Sequence, residues 1–180
     1  MNSKEKILST AFKLFINNGY HNTSMQQLVE ASKLSKGAFY HYFKSKNDLY
    51  NQVIEHYFLS FYKEVDWETY EQMELSVEQI EQEIQNFYLN FVPKILSLTE
   101  KGFSEYYIMY FEAYNLLPEF RQEVQKFYKN LEKIIINAKN NKTESLKIAT
   151  TMVSKYEGIL FLLAIRPNLK INDLMEQISE

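Results

Sequence analysis

Residues 7–54 read ILSTAFKLFINNGYHNTSMQQLVEASKLSKGAFYHYFKSKNDLYNQVI. Apolar residues recur there at helical spacing in three segments, which turn residues separate. Asn18-Gly19 is expected to end the first helix, because glycine readily takes the left-handed conformation that follows a helix. Thr23 with Gln26 forms a predicted capping box for the second helix, and a third helix is expected over about 36–42. The second and third helices are too short to be stable without packing against the first.

Three such helices are either a generic helical mini-bundle or a helix-turn-helix, in which the third helix enters the DNA major groove. The spacing favours the helix-turn-helix. Its third helix would present Lys36, Gly37, Ala38, Tyr40 and His41 outward. The small residues let the backbone approach the groove floor, and the lysine can donate to a guanine edge or a phosphate. The tyrosine and the histidine can donate to phosphate or pack on a thymine methyl group.

Other residues of the same stretch are candidates for contacts with the DNA backbone. Thr23 and Ser24 lie at the start of the second helix, whose first amide groups form a potential anion site. Lys46 opens a fourth helix and adds positive charge there. Taken singly, Lys44 and Lys46 can equally be solvated surface residues.

The charge distribution supports a nucleic-acid partner more than the net charge of −3 does. Residues 1–56 hold seven lysines and four acidic residues, a net charge of +3, so the remainder carries −6. A basic N-terminal part joined to an acidic remainder is the asymmetry expected of a DNA-binding protein.

Residues 7–54 resemble the DNA-binding domain of the tetracycline-repressor (TetR) family. The matching pieces are Ala11 to Phe15, Gly19-Tyr20, Thr23-Ser24-Met25, Ser35-Lys36-Gly37, Phe39-Tyr40, Tyr42-Phe43, Ser45-Lys46 and Leu49. The resemblance implies that Tyr40, Lys46 and the Thr23-Ser24 cap contact phosphates and that the third helix reads bases. It also implies a helical body that binds a ligand and dimerises.

One departure from the family pattern lies in the turn between the second and third helices. The family has Ala-Gly-Val before the serine, and this chain has Ser32, Lys33 and Leu34. A lysine in the left-handed conformation of that glycine costs roughly 1 kcal/mol. We therefore predict that Lys33→Gly stabilises the helix-turn-helix.

The rest of the chain also predicts helices, so the fold class is all-α. With only four glycines and three prolines, few turns are expected. We predict a three-helix head (residues 1–50), joined by a long fourth helix to a ligand-binding and dimerisation body (residues 51–180), with about nine helices in all. Ser45 with Asp48 and Ser76 with Gln79 are further predicted caps. Pro93 is expected to kink or break its helix, and residues 140–143 are expected to form a turn.

Two C-terminal segments are the predicted dimer interface. Over about 144–165, apolar residues cover two faces of one helix, which therefore needs two partners. In one interpretation, its partners are the core of the body and a second subunit. In the alternative, the helix is wholly buried in a monomer. A short last helix over 171–178 would complete a homodimer interface, which suits a palindromic operator.

Aromatic residues of the body form a candidate effector site. Aromatic residues of the head and the body together make up 16% of the chain. Core packing accounts for some of them, whereas an apolar pocket would give the tyrosine hydroxyls water or a ligand as partners. The predicted pocket residues are Phe87, Phe91, Phe103, Tyr106, Tyr107, Tyr110, Tyr114, Met152 and Tyr156, with Glu112 or Glu157 supplying polarity.

Several classes of function lack support. The chain has no cysteine, which excludes disulfides and thiol catalysis, and no catalytic or metal-binding motif is present, so neither an enzyme nor a cofactor or metal is expected. The N-terminus does not resemble a signal peptide, and the apolar run 158–165 is too short to span a bilayer, so we expect a cytoplasmic protein without a membrane partner. The sequence predicts a DNA-binding repressor that a small apolar or aromatic effector releases. An effector-independent DNA-organising protein and a helical enzyme are the alternatives.

Overall fold

The computed structural model describes residues 2–63, 65–139 and 145–179, and every secondary-structure element in these ranges is helical. This confirms the predicted all-α class. The helices are α1 (Ser3–Asn18), α2 (Met25–Ser32), α3 (Lys36–Tyr42), α4 (Lys46–Ile54), a π-helical segment (Glu55–Leu59), α5 (Ser60–Lys63), α6 (Trp67–Gln72), α7 (Val77–Leu96), α8 (Phe103–Leu116), α9 (Pro118–Ile136), α10 (Ser145–Ile165) and α11 (Ile171–Ser179).

The chain forms two compact units. The first comprises Met1–Glu64, Thr99–Lys101 and Glu105–Glu123, and so contains α1 to α5, most of α8 and the start of α9. Its core is aromatic: Phe12, Phe15, Phe39, Phe43 and Phe58 are all at most 2% exposed. These side chains come from α1, from α3 and its C-cap Phe43, and from the π-helical segment, and Leu28 of α2 is also buried at 1% exposure. The three short helices therefore share one core, as the apolar pattern predicted.

Polar side chains cap the helices of the first unit, with one difference from prediction. The N-cap of α2 is Ser24, whose hydroxyl accepts from the Gln27 amide while the Gln27 side chain accepts from the Ser24 amide. The predicted pair, Thr23 with Gln26, was therefore wrong by one residue. Thr23 is instead buried, and its hydroxyl donates to the Gly19 carbonyl at 2.8 Å. The predicted cap at Ser45 is present.

The fourth helix contains a change of helical register. In the sequence, Leu49, Val53, Tyr57 and Phe61 lie at a spacing of four, which predicts one continuous buried face. After Val53 and Ile54, however, the next buried residues are Phe58 and Leu59, whereas Tyr57 is half-buried. The π-helical segment accounts for the extra residue, because its wider turn moves the buried face one position along the chain. The long predicted helix is therefore α4, the π-helical segment and α5 in succession.

The second unit comprises Val65–Leu98, Gly102–Ser104 and Val124–Glu180. Val92, Ile135, Ala149 and Tyr156 lie in its core, each at most 1% exposed. Ser76 and Gln79 form the predicted capping box of α7. α7 runs through Pro93 without a break, although proline offers no N–H group to the carbonyl four residues before it.

Two sequence predictions concern features that packing does not report or residues outside the described ranges. The division into a head (1–50) and a body (51–180) concerns function and stays a prediction, because the compact units follow packing. The predicted turn at 140–143 and the first residue of the predicted helix 144–165 lie outside the described residues.

The second unit contains a helical stretch, Leu146–Ile165, that is long and apolar enough to cross a membrane, with a mean hydropathy of 1.4. The sequence-based expectation considered only the shorter run at 158–165. A helix in the core of a water-soluble protein satisfies the same length and composition criteria, so this finding is weak support for a membrane segment.

Candidate DNA-contact surface and cavity

Helix α3 separates a buried side from an exposed one, as expected of a recognition helix. Phe39 is completely buried, whereas Lys36, Gly37, Ala38 and His41 are exposed. The Ser35 hydroxyl accepts from the Ala38 amide at 3.2 Å and so fixes the start of the helix. A Cβ atom added at Gly37 would meet no atom within 4 Å. The first turn of α3 is therefore a small, open surface with one lysine. Tyr40, also predicted to contact DNA, is half-buried.

The two residues before α2 differ in accessibility. Ser24 is exposed, whereas Thr23 is 1% exposed, and its hydroxyl is used within the fold. Thr23 and Ser24 stay predictions as phosphate contacts. In the structure, the Thr23 side chain stabilises the turn between α1 and α2.

Lys46 lies against the same turn. Its Nζ donates to the Tyr20 carbonyl at 2.9 Å and lies 4.2 Å from the centre of the Tyr20 ring. Lys44 similarly donates to the Tyr40 carbonyl at 2.9 Å. Both lysines thus fix local backbone, and their predicted or alternative roles toward DNA remain untested.

The turn between α2 and α3 has the backbone geometry that the family departure predicted. Lys33 has φ 55° and ψ 28°, the left-handed conformation, and its side chain is exposed. The buried Ser32 hydroxyl donates to the Val29 carbonyl at 2.7 Å and accepts from the Leu34 amide at 3.3 Å. The serine that stands where the family has alanine therefore stabilises this turn.

Helix α8 is joined to the turn between α1 and α2 by a charged hydrogen bond. The Tyr20 amide donates to Glu112 Oε2 at 2.8 Å, and a Cβ added at Gly19 would lie 3.2 Å from Glu112 Oε1. Beside them, the Tyr50 hydroxyl donates to the Met109 carbonyl at 3.4 Å. Burial raises the pKa of Tyr50 far above its ordinary value, and the charge of Glu112 raises it further. Sequence reasoning placed Glu112 in the effector pocket, whereas here it binds backbone.

The second unit contains an apolar cavity of about 110 Å³. Its walls come from α6, α7 and α9 and the residue Val65. The lining residues are Val65, Trp67, Tyr70, Ile80, Glu83, Ile84, Phe87, Tyr88, Phe127, Leu131 and Ile134. Five of them are aromatic, and Glu83 is the single ionisable carboxyl group of the lining.

Two carboxyl groups give the cavity and its surroundings polarity. Glu83 accepts a hydrogen bond from Tyr70, whose pKa is raised by burial and then by the Glu83 charge. Glu157 accepts from Tyr88 at 2.9 Å and from Tyr128 at 2.6 Å. Two tyrosine hydroxyls are thus satisfied by one carboxylate, which sequence reasoning had named as a possible source of polarity.

The structure divides the nine predicted pocket residues into two groups. Those of the second unit are Phe87, which lines the cavity, and Phe91, Phe103, Met152 and Tyr156, which are buried. Phe91 stacks on Phe87, and Tyr156 stacks on the lining residue Tyr88. The α8 residues Tyr106, Tyr107, Tyr110 and Tyr114 belong to the first unit, where Tyr106 stacks on Phe58 and Tyr110 packs edge-on against Phe120. Their role as ligand contacts stays untested.

Four of the five aromatic lining residues are not among the predicted pocket residues: Trp67, Tyr70, Tyr88 and Phe127. Trp67 and Tyr70 lie on the short helix α6, and Phe127 lies on α9, where its ring meets that of Trp67 edge-on at 5.2 Å between centroids. Trp67 is the single tryptophan of the chain. That rarity was the one available signal, because the contact joins residues sixty positions apart.

Helix α10 exposes apolar side chains in the region predicted to dimerise. Leu146, Phe161 and Ile165 are 62%, 56% and 57% exposed, whereas Leu160 and Leu163 are each 4% exposed. Of the two apolar faces inferred from the sequence, one therefore lies in the core of the second unit and the other is exposed to solvent.

The chain is similar to known bacterial transcriptional regulators. The sequence model of a family described as "Bacterial regulatory proteins, tetR family" matches residues 7–53. The HTH-type transcriptional regulator QacR of Staphylococcus aureus is 34% identical over 160 residues, which cover 89% of this chain and 72% of QacR. The uncharacterized HTH-type transcriptional regulator YuxN of Bacillus subtilis is 48% identical over 59 residues, 32% of this chain and 20% of YuxN.

Solved structures show the same fold over nearly the whole chain. A transcriptional regulator of the TerR/AcrR family from Aquifex aeolicus superposes with a TM-score of 0.69, at 20% identity, covering 98% of this chain and 95% of that one. A TetR transcriptional regulator from Legionella pneumophila gives a TM-score of 0.58 at 22% identity, covering 99% and 94%.

Proposed function

The chain belongs to the TetR family of transcriptional regulators, and on that premise we propose that it is a repressor released from its operator by a small aromatic effector. It acts as a homodimer in the cytoplasm, on a palindromic operator, and performs no catalysis. DNA binding and transcriptional regulation follow from the family itself. The repressor role, the effector and the dimer are the parts proposed here.

The exposed first turn of α3 carries the proposal for DNA recognition. Lys36 offers a charged donor, and the two small residues after it permit close approach of the backbone to the base edges. A homodimer presents two such turns, so each operator half-site is read by one α3 and the half-sites repeat after about one DNA turn.

Footprinting tests this proposal directly. The purified protein should protect a palindromic site in the DNA upstream of its own gene. Lys36→Ala should change the sequence preference among operator variants, because a base contact is lost. A matched variant, Lys129→Ala at an exposed position on α9, should leave that preference unchanged. Absence of any protected site upstream of its gene would contradict self-regulation, and an equal loss on every sequence would make Lys36 a backbone contact.

The cavity of the second unit carries the proposal for the effector. Its aromatic walls favour a planar apolar ligand, and about 110 Å³ is near the size of cavity that accepts a single benzene ring, about 150 Å³. Glu83 is exposed to solvent and accepts from Tyr70, and its negative charge at the cavity favours a ring that carries a hydrogen-bond donor or a positive charge. A small aromatic effector is therefore the ligand class that these residues support.

Trp67 provides a built-in reporter of ligand binding, since its fluorescence arises at the cavity wall. Benzyl alcohol and benzylamine are probes of matched size, one neutral and one charged at pH 7. Either should change Trp67 emission in a saturable way, and Phe87→Ala should weaken the binding. Tyr110→Phe, on α8 and outside the cavity lining, is the matched control. If Tyr110→Phe abolished binding and Phe87→Ala did not, the site would lie among the α8 tyrosines.

The exposed side of α10 supports the dimer. Phe161 and Ile165 lie one helical turn apart and are both more than half exposed. Exposed apolar side chains that cluster on one helix face are typical of an interface. A second copy of the chain, packed on α10 and α11, would cover them and bring two heads to one operator.

A further inference from the structure

Lys33 is unusual in its backbone conformation. Among the described residues, the non-glycine residues with positive φ are Lys33 and Glu74, and Lys33 alone of these lies in the helix-turn-helix. The family has a glycine at this turn, and glycine adopts the left-handed conformation without strain. The chain therefore keeps a strained residue at a position where an unstrained one is available.

The contacts within the fold do not explain the lysine. Its backbone amide donates to the Glu30 carbonyl at 3.1 Å, a bond that a glycine would make equally well. Its side chain is exposed, and among the described residues its ammonium group donates no hydrogen bond and forms no ion pair. In contrast, the ammonium groups of Lys44 and Lys46 each donate to a backbone carbonyl at 2.9 Å. The Lys33 charge is thus available for an external partner.

Lys33 lies close to the DNA-reading surface. It precedes Ser35, the N-cap of α3, by two residues, which span at most about 7 Å of extended chain. The first turn of a recognition helix contacts base edges in the major groove, and phosphate backbones line both sides of that groove. A lysine on a flexible four-carbon stem next to that turn can reach a phosphate.

We propose that Lys33 is a phosphate contact in addition to those that the family pattern implies, and that the strained turn persists because its side chain binds the DNA backbone. Strain at a functional residue is retained when the residue contributes to binding. The proposal rests on the DNA binding proposed for α3. It adds one cation for each subunit to the contacts that the family pattern implies.

Four substitutions separate the charge from the strain. Lys33→Gln removes the charge and keeps the strain, Lys33→Gly removes both, and Lys33→Arg keeps both. Lys129→Gln removes a charge from an exposed position on α9. Each full-length variant is titrated against two duplexes of equal length, the footprinted upstream site and a scrambled sequence, over a range of salt concentrations. Thermal unfolding of each variant is measured in parallel.

Loss of one phosphate contact lowers the slope of log affinity against log salt concentration by about 0.9, which corresponds to about an eightfold weaker affinity at 0.1 M salt; a homodimer loses two such contacts, so its slope falls by about 1.8. We expect this loss for Lys33→Gln and Lys33→Gly, equally on both duplexes, and near wild-type binding for Lys33→Arg and Lys129→Gln. We also expect Lys33→Gly to unfold at a higher temperature than wild type, and Lys33→Gln to unfold at the wild-type temperature.

Two results would overturn the proposal. Wild-type affinity and slope for Lys33→Gln would make Lys33 a solvated surface residue. A loss confined to the footprinted duplex would make it a base contact and not a phosphate contact. If the wild-type protein bound neither duplex, the proposed DNA recognition itself would fail, which is a distinguishable outcome.

Discussion

Replacing Glu112 by alanine tests whether α8 stabilises the turn before α2. The bond from the Tyr20 amide to Glu112 Oε2 is 2.8 Å long and involves a charged acceptor. Hydrogen bonds to charged groups contribute roughly 1.5–3 kcal/mol. Because Glu112 is half-buried, water screens it, and we expect the lower end, about 1.5 kcal/mol. For a chain of this length, that loss lowers the melting temperature by about 3–6 °C.

Glu112→Gln should cost about half as much, since an amide oxygen still accepts from Tyr20 and charged hydrogen bonds are roughly twice as strong as neutral ones. The assay is thermal unfolding followed by circular dichroism, with denaturant titration as a second measurement. Glu176→Ala, at an exposed position on α11, is the control and should stay within about 0.5 kcal/mol of wild type.

Gly19 extends the test to a double-mutant cycle. Gly19→Ala places a Cβ at φ +81° and 3.2 Å from Glu112 Oε1, so it combines backbone strain with steric conflict. With Glu112→Ala the conflict disappears and the strain remains. The two changes together should therefore cost less than their sum, by at least about 0.5 kcal/mol. Additive costs, or a Glu112→Ala variant as stable as wild type, would refute a stabilising contact here.

Three other perturbations test separate parts of the molecule. Phe161→Glu, on the exposed side of α10, should convert the proposed dimer to a monomer in sedimentation. Leu160 is buried, so Leu160→Glu should instead destabilise the fold. If the Phe161→Glu variant stayed a dimer, the interface would lie elsewhere. Above pH 10, the free energy of unfolding should fall by up to about 1.4 kcal/mol per pH unit, because Tyr50 ionises in the unfolded chain but stays protonated in the folded one. In alkaline denaturant titrations, Tyr50→Phe should make this fall less steep. An unchanged slope would show that Tyr50 does not cause the fall. Lys46→Ala should reduce the salt dependence of DNA binding on every sequence, and an unchanged slope would confine Lys46 to its bond with Tyr20.

Local features of this fold could be predicted from the sequence because their causes are local. The left-handed Lys33 follows from the glycine that the family has at this turn, and the Ser76 cap follows from the residue three positions later. The cap of α2 shows the limit of this reasoning. Thr23 with Gln26 and Ser24 with Gln27 satisfy the same pattern, and the choice between them depends on burial of Thr23 by the tertiary fold.

The candidate cavity depends on contacts between distant residues, which one sequence does not specify. Phe87 could be predicted as a pocket residue because several aromatic residues lie close together in α7. Trp67 and Phe127 acquire their positions from the packing of α6 with α9, and neither helix shows by itself which neighbour it meets. The π-helical segment was missed for a related reason, since an added residue in one turn is visible only once the buried side of the helix is known.

The first compact unit is discontinuous along the chain, and this has a consequence for the order of folding during synthesis. Its helix α8 is made only after Val65–Leu98, which belongs to the second unit. Until the ribosome has released α8, Tyr20 lacks its acceptor Glu112, and Phe58 lacks the stacked ring of Tyr106. The helix-turn-helix therefore reaches its final stability late, well after its own translation. A nascent chain should be protected from proteolysis in α1 and α2 only once residues beyond 123 have emerged.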